Sequence, residues 1–242
     1  MLRTDHVSLD PSHLLARRLS GLCGKPIFAA ELGPLHDVRS HHTGDDLTGT
    51  LKSAASGMRF ILAGWVAESV SLEDGRRQII GLRLPGDRLA APGEGVETAF
   101  LTAGRTAVMS GPPVGPTLED LLLAEEHARL RQLVVRLGRC SAHERTAHLL
   151  LELHERLLRI GLAAGDGFHL PLTQEVLADA LGLSIVHVNR TLQQLRREGC
   201  LVLHGAQATF PDRKGLASAV HYTLSVATPP PPAAALRRTG GA

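Results

Sequence analysis

The stretch LADALGLSIVHVNRTLQQLRREG, from Leu177 to Gly199, constrains this chain more than any other part of it. Two amphipathic segments meet at Gly182, where a sharp turn needs positive φ or a missing side chain. Ala178 is the small residue that lets two helices cross closely, and Leu177, Leu181, Leu183 and Leu192 surround it with an apolar face. Ser184 is placed to cap the second helix. Val188, Leu192 and Leu195 then recur at i, i+4 and i+7 and face inward. That leaves Ile185, Val186, Asn189, Arg190 and Gln193 facing outward. The pattern predicts a helix-turn-helix whose second helix is shaped for a DNA major groove. Ordinary helical cores also contain such pairs, so the next segment matters. CLVLHGAQATF, Cys200 to Phe210, sets β-type residues on both sides of a His-Gly turn and predicts a two-stranded wing.

The whole chain has 242 residues, enough for two domains. Hydrophobic residues make up 43 % but aromatics only 3 %, so the cores must be built from Leu, Val, Ile and Ala. So few aromatics argue against binding single-stranded nucleic acid by base stacking. A net charge of +2 leaves the partner open. Residues 170–242 hold seven Arg or Lys against four Asp or Glu, which suits a phosphate-facing surface without demanding one. Cys23, Cys140 and Cys200 are isolated, which speaks against an iron–sulfur or structural zinc site and for reduced thiols in a cytoplasm. No signal-peptide pattern opens the chain and no 18-residue apolar run spans a membrane. A cytoplasmic protein with no membrane partner is therefore expected. The tail TPPPPAAALRRTGGA is Pro/Ala/Gly-rich and expected to be disordered.

Along the chain, PSHLLARRLSGLC (Pro11 to Cys23) reads as a short helix. Residues 27–115 turn to short apolar stretches punctuated by Gly and Pro. Within MRFILAGWVAESVSLEDGRRQIIGLRLPGDRL two strands join through Asp74-Gly75, and LPGD makes a tight turn after the second. Short strands at regular spacing predict an antiparallel jelly roll or barrel. From Thr117 to Gly138 the pattern is helical, with Leu123, Leu130 and Leu137 seven residues apart and Val134 beside them. That stripe suits a helix paired with its own copy, and another face can lie on the chain's own β-domain. SAHERTAHLLLELHERLLRIG adds a helix from Ser141 to Ile160, ended by Gly161, with Leu149, Leu150, Leu153 and Leu157 set to pack under the helix-turn-helix.

The order of β-roll, long helix and winged helix resembles the Crp/Fnr family of bacterial transcription regulators, the cyclic-AMP receptor and fumarate-nitrate regulator type. The resemblance covers residues 12–220 and is carried by GWVAESVSLEDGRRQIIGLRLPGD, LGRCSAHERTAHLLLEL and LPLTQEVLADALGLSIVHVNRTLQQLRREG. It implies an α+β chain with four parts: a sensor β-roll (1–116), a dimerisation helix (117–139), a winged helix-turn-helix (140–222) and a tail (223–242). It implies a homodimer on a palindromic duplex, RNA polymerase as a further partner, and a small-molecule effector whose identity stays open. Arg190 falls where the family places an arginine contacting guanine, and Ser184 and His187 where it places backbone contacts. Thr173 and Gln174 begin the first helix of the motif, where peptide N–H groups can meet a phosphate. Leu123, Leu130, Val134 and Leu137 form the dimer seam.

The chain also departs from the family pattern. Ile185 and Val186 stand where well-studied members carry charged base readers, so they can touch a thymine methyl but cannot hydrogen-bond a base edge. Asn189 is a candidate reader of adenine. Cyclic-nucleotide binders use Gly-Glu-Leu for the ribose and Arg-Ser-Ala for the phosphate. Here Ala90, Ala91 and Pro92 fill the first stretch and Glu97-Thr98-Ala99 aligns with the second, which sets a carboxylate beside the phosphate. The pocket thus reads as degenerate and unsuited to cyclic AMP. An N-terminal cysteine cluster, the oxygen sensor of another branch, is missing as well.

Two other constellations have plain alternatives. HHTGDD (His41 to Asp46) can be read as metal ligands or as a polar loop, and Glu144, His148 and Glu152 as ligands or as a salt-bridged face. No cofactor, metal or catalytic residue is assigned, so the chain reads as a regulator rather than an enzyme. The alternatives are a β-roll metal-binding protein or enzyme with an attached helical domain, and a winged helix that binds protein.

Overall fold

The computed structural model of the chain describes residues 10–52, 57–109 and 116–224. Helix α1 (Pro11–Cys23) opens it, with Asp10 accepting from the Ser12 amide at 2.9 Å and Gly24 ending it in the left-handed region. Seven strands follow: β1 (Leu35–His41), β2 (Met58–Ala63), β3 (Val66–Ser71), β4 (Arg77–Arg83), β5 (Arg88–Leu89), β6 (Val96–Phe100) and β7 (Gly104–Met109). A short helix, α2 (Thr48–Lys52), lies between β1 and β2. The strands form two antiparallel sheets, ordered β1-β7-β2-β5 and β4-β3-β6, as the jelly-roll reading requires.

One detail differs from the sequence reading. MRFILAGWVAESVS is two strands rather than one, and they lie in different sheets. Gly64 makes the break at φ +87°, where a Cβ would come within 2.7 Å of the Gly104 Cα. The β3–β4 hairpin turns at Asp74-Gly75 as expected, with the Gly75 amide donating to the Leu72 carbonyl at 2.9 Å. The LPGD turn closes through the Asp87 amide on the Leu84 carbonyl, also at 2.9 Å.

Alternation along the strands divides the apolar side chains among three clusters. Leu47, Leu51, Ile61, Val66, Leu89 and Phe100 fill one of them, within the roll. Phe60, Leu62, Ala107 and Met109 pack against Leu14, Leu15 and Leu19 of α1, together with Leu118 and Leu122. The last two belong to α3 (Pro116–Arg139), so one face of the long helix does lie on its own β-domain.

Helix α4 (Ala142–Ile160) starts at a capping box: Ser141 and Glu144 each accept the other's backbone N–H. Next come β8 (Ala163–Ala164), β9 (Gly167–His169), α5 (Gln174–Leu181), α6 (Ile185–Arg197), β10 (Val202–His204), β11 (Gln207–Thr209) and α7 (Arg213–Ala219). The expected wing, β10–β11, is half of a four-stranded sheet ordered β10-β11-β9-β8. The extra pair arises because β11 offers a second edge, which β9 completes through Ala208 opposite Phe168. The Gly165-Asp166-Gly167 run is its sequence signal.

The third cluster joins parts that the sequence reading separated near residue 140. It unites Trp65, Ala67, Ile79, Leu82 and Leu84 of the roll with Leu149, Leu150 and Leu153 of α4 and Ala178, Ala180 and Leu181 of α5. Among the described residues no helix is long and apolar enough to cross a membrane. The tail from residue 225 lies outside the described residues.

Candidate nucleic-acid interface

The two helices of the motif are fixed at their ends by side chains that the sequence marks. Thr173 caps α5, its hydroxyl accepting from the Val176 amide at 3.2 Å. Gly182 ends α5 at φ +61°. Two residues later Ser184 caps α6, accepting from the His187 amide at 3.3 Å and bonding the His187 ring at 3.1 Å. Beneath the turn, Leu177, Leu181, Val188, Leu192 and Leu195 are buried, and Leu183 is half-buried. Such a core lets α6 present one face to solvent with little freedom to rock.

That face is the predicted one. Ser184, Ile185, Val186, His187, Arg190 and Gln193 are exposed, and Asn189 is half-buried between them. Thr173 and Gln174 are exposed beside it at the start of α5. Val186 is 63 % exposed, unusual for a β-branched residue on a helix this well packed. Arg190 forms no hydrogen bond or ion pair with any described residue. Arg196 and Arg197, a turn or more further on, are also exposed. The wing turn at His204-Gly205-Ala206-Gln207 is exposed as well. One contact was not legible from spacing: the Asn189 Nδ2 donates to the Gln174 Oε1 at 3.2 Å, linking the two helices across this face.

The remaining candidate residues sort as follows. On α3, Leu123, Leu130 and Val134 are exposed, and the sequence reading missed Val135, which is exposed too. Leu137 is half-buried and close to the motif's turn: a Cβ on Gly182 would lie 3.5 Å from its Cδ2. In HHTGDD, His41 turns inward, stacks on Phe100 and bonds the Thr106 hydroxyl at 3.0 Å, while His42 stays in solvent. Glu144, His148 and Glu152 have separate partners in Ser141, the Val220 carbonyl, and the Arg136–Arg156 pair. Glu97 is exposed while Thr98 is buried, so strand alternation sends the carboxylate away from the roll interior. The expected charge clash at a phosphate does not arise from that residue.

A capped two-helix motif with a wing, joined by a long helix to a β-roll, defines a DNA-binding regulator of transcription. Residues 144–219 match the Crp-like helix-turn-helix domain. The chain is 33 % identical over 205 residues to the nitrogen fixation regulation protein FixK of Bradyrhizobium diazoefficiens, spanning 78 % of this chain and 86 % of that one. It is 34 % identical over 161 residues to the transcriptional activator protein FnrL of Cereibacter sphaeroides, spanning 60 % and 64 %. Among solved structures it is similar to FixK2 of Bradyrhizobium japonicum, with a TM-score of 0.64 at 25 % identity over 76 % of this chain and 96 % of that one. A Crp/Fnr-family regulator from Thermus thermophilus shares the fold, with a TM-score of 0.58 at 21 % identity over 78 % and 100 %. The chain belongs to the Crp/Fnr family of transcription regulators.

Proposed function

We propose that this regulator acts in the cytoplasm as a homodimer, reading a two-fold palindromic duplex with α6 and recruiting or blocking RNA polymerase from there. The observation that carries the reading is the exposed face from Ser184 to Gln193 on a helix capped at its start and buried behind. Arg190 supplies a guanidinium with no competing partner among the described residues, suited to guanine. Ile185 and Val186 meet thymine methyls, Asn189 reads adenine, and Gln193 continues the face. Thr173, Ser184, His187 and the peptide N–H of Gln174 meet the phosphate backbone. The working parts are the roll (1–116), the α3 segment (117–139) and the winged helix (140–222).

Dimerisation is supported by the exposed Leu123, Leu130 and Val134, an apolar stripe along α3. A palindrome needs a two-fold protein. The roll does not serve cyclic AMP in this reading, because Leu47, Leu51 and Phe100 occupy its interior. Arg59 is buried there but is bound to Asp37 and to the Thr106 hydroxyl. A nucleotide phosphate would have to displace that carboxylate.

Selection of bound duplexes from a random library tests the reading. A palindrome with a reproducible half-site, bound more weakly as salt rises, is the expected result. Recovery of no consensus would sink it. Calorimetry with millimolar cyclic AMP should show no saturable heat, and saturable binding that tightens operator affinity would reverse the sensor assignment.

A further inference from the structure

We infer that Gln174 is a positioning residue for base recognition, holding the Asn189 carboxamide in place against the adenine edge it reads. The inference rests on the reading of α6 as the groove helix. Gln174 is the first residue of α5, directly after the Thr173 cap, so its backbone is fixed. Asn189 lies just over one turn into α6, next to Val188, which is buried, and Arg190, which is exposed. The 3.2 Å bond from the Asn189 Nδ2 to the Gln174 Oε1 crosses from one helix to the other.

The bond matters because a carboxamide has two nearly isosteric ends. Rotation about its last torsion is soft, and a flip exchanges an acceptor for a donor. Adenine offers the major groove an N7 acceptor and an N6–H donor, while guanine offers acceptors at both N7 and O6. An asparagine selects adenine only with Oδ1 toward N6 and an Nδ2–H toward N7. As the two side chains stand, the Gln174 oxygen takes one Nδ2–H. The second Nδ2–H and Oδ1 are then the pair turned to the base. A flip of Asn189 alone would set Oδ1 against the Gln174 oxygen, two acceptors face to face, so the bond ties its rotation to that of Gln174.

A plain phosphate contact from the Gln174 side chain is the competing account, and the two differ in what they do to sequence preference. Asn189→Ala first identifies the operator position that it reads. Affinities of the full-length protein are then measured for all four bases there and for a scrambled duplex. With Gln174→Ala, adenine-over-guanine discrimination should fall about five-fold, the scale of one hydrogen bond, while scrambled-duplex affinity stays within about two-fold. The double variant should discriminate no worse than Asn189→Ala alone. Gln174→Glu keeps the acceptor oxygen, so discrimination should survive even as its charge weakens binding to every duplex. Equal loss for all four bases in Gln174→Ala, additive effects in the double variant, or lost discrimination in Gln174→Glu would each overturn the inference. Unchanged preference in both Asn189→Ala and Arg190→Ala would instead reject α6 as the reading helix.

Discussion

Arg190 has no partner to lose among the described residues, so its removal isolates the proposed contact with DNA. Arg190→Ala should cost about 1–3 kcal/mol of operator affinity and relax preference at one base pair, with no change in melting temperature. Arg196→Ala should weaken binding evenly across sequences if it is felt at all, which competition with scrambled duplex would show. Gly182 is the opposite case, a residue whose role is entirely conformational. At φ +61° an alanine incurs the left-handed penalty, and its Cβ would lie 3.3 Å from the Gln78 Oε1. Gly182→Ala should lower unfolding stability by about 1–2 kcal/mol in a denaturant titration. His154 is fully buried between the rings of Phe168 and Phe210 and bonds the Gly165 carbonyl at 2.9 Å. Burial pushes its pKa below the ordinary histidine value. The unfolded chain takes up a proton near pH 6.5 while the folded one does not, so stability falls as pH drops below that point. His154→Gln, which cannot titrate, should flatten the fall between about pH 7 and pH 5. An unchanged slope would show that other groups set the acid limb.

Helix α3 divides its surface between the chain's own core and solvent. Leu118 and Leu122 are buried under α1, whereas Leu130 is 41 % and Val134 70 % exposed. An exposed apolar stripe on an otherwise charged helix is costly to leave in water. Leu130→Asp would bring a carboxylate into the proposed seam at a desolvation cost of several kcal/mol. Sedimentation should then show a monomer, and operator binding should weaken because only one half-site is held. A wild-type chain that sediments as a monomer at micromolar concentration would contradict the seam. Heptad spacing exposes the stripe in the sequence, but spacing alone does not show that Leu137 is half-buried beside the motif's turn. That placement follows from the approach of α5, a contact between residues far apart in the chain.

The parts of the molecule are held together by a buried ion network centred on the LPGD turn. Asp87 accepts from Arg18 of α1 at 3.3 Å, Arg129 of α3 at 3.1 Å and Arg156 of α4 at 2.6 Å, and from the Leu84 amide at 2.8 Å. Burial alone would raise its carboxyl pKa, yet Arg129, Arg156 and Arg18 hold it well below the carboxylate range. Its contribution is therefore present above about pH 4 and lost as acid protonates it. Asp87→Asn leaves three guanidiniums short of a counter-charge and should cost about 3–5 kcal/mol. A melting temperature unchanged from wild type would show the network to be incidental. A second joint lies at β4, where Arg77 pairs with Asp179 of α5 at 2.7 Å.

Five helices, α1 and α3 to α6, were legible because each depends on a local rule. Ser184 and the glycines at 161 and 182 act within a turn or so of where they stand, and Asp10, Gly24, Thr173 and the Ser141–Glu144 box, which the sequence reading did not name as caps, obey the same rule. The β3–β4 hairpin was legible for the same reason, and so was the outward face of α6, since helical periodicity sorts inside from outside. What no local rule reaches is which surfaces meet. Gly64 splits an apolar run between two sheets because Gly104, distant in the chain, packs against it. Glu97 and Thr98 take opposite sides according to the register of β6 on β3. The roll's outer sheet joins the core of the winged helix, Asp87 gathers arginines from three helices, and Gln174 reaches Asn189. Each of these is fixed by long-range packing, where a residue's neighbours are chosen by the whole fold and not by its position in the chain.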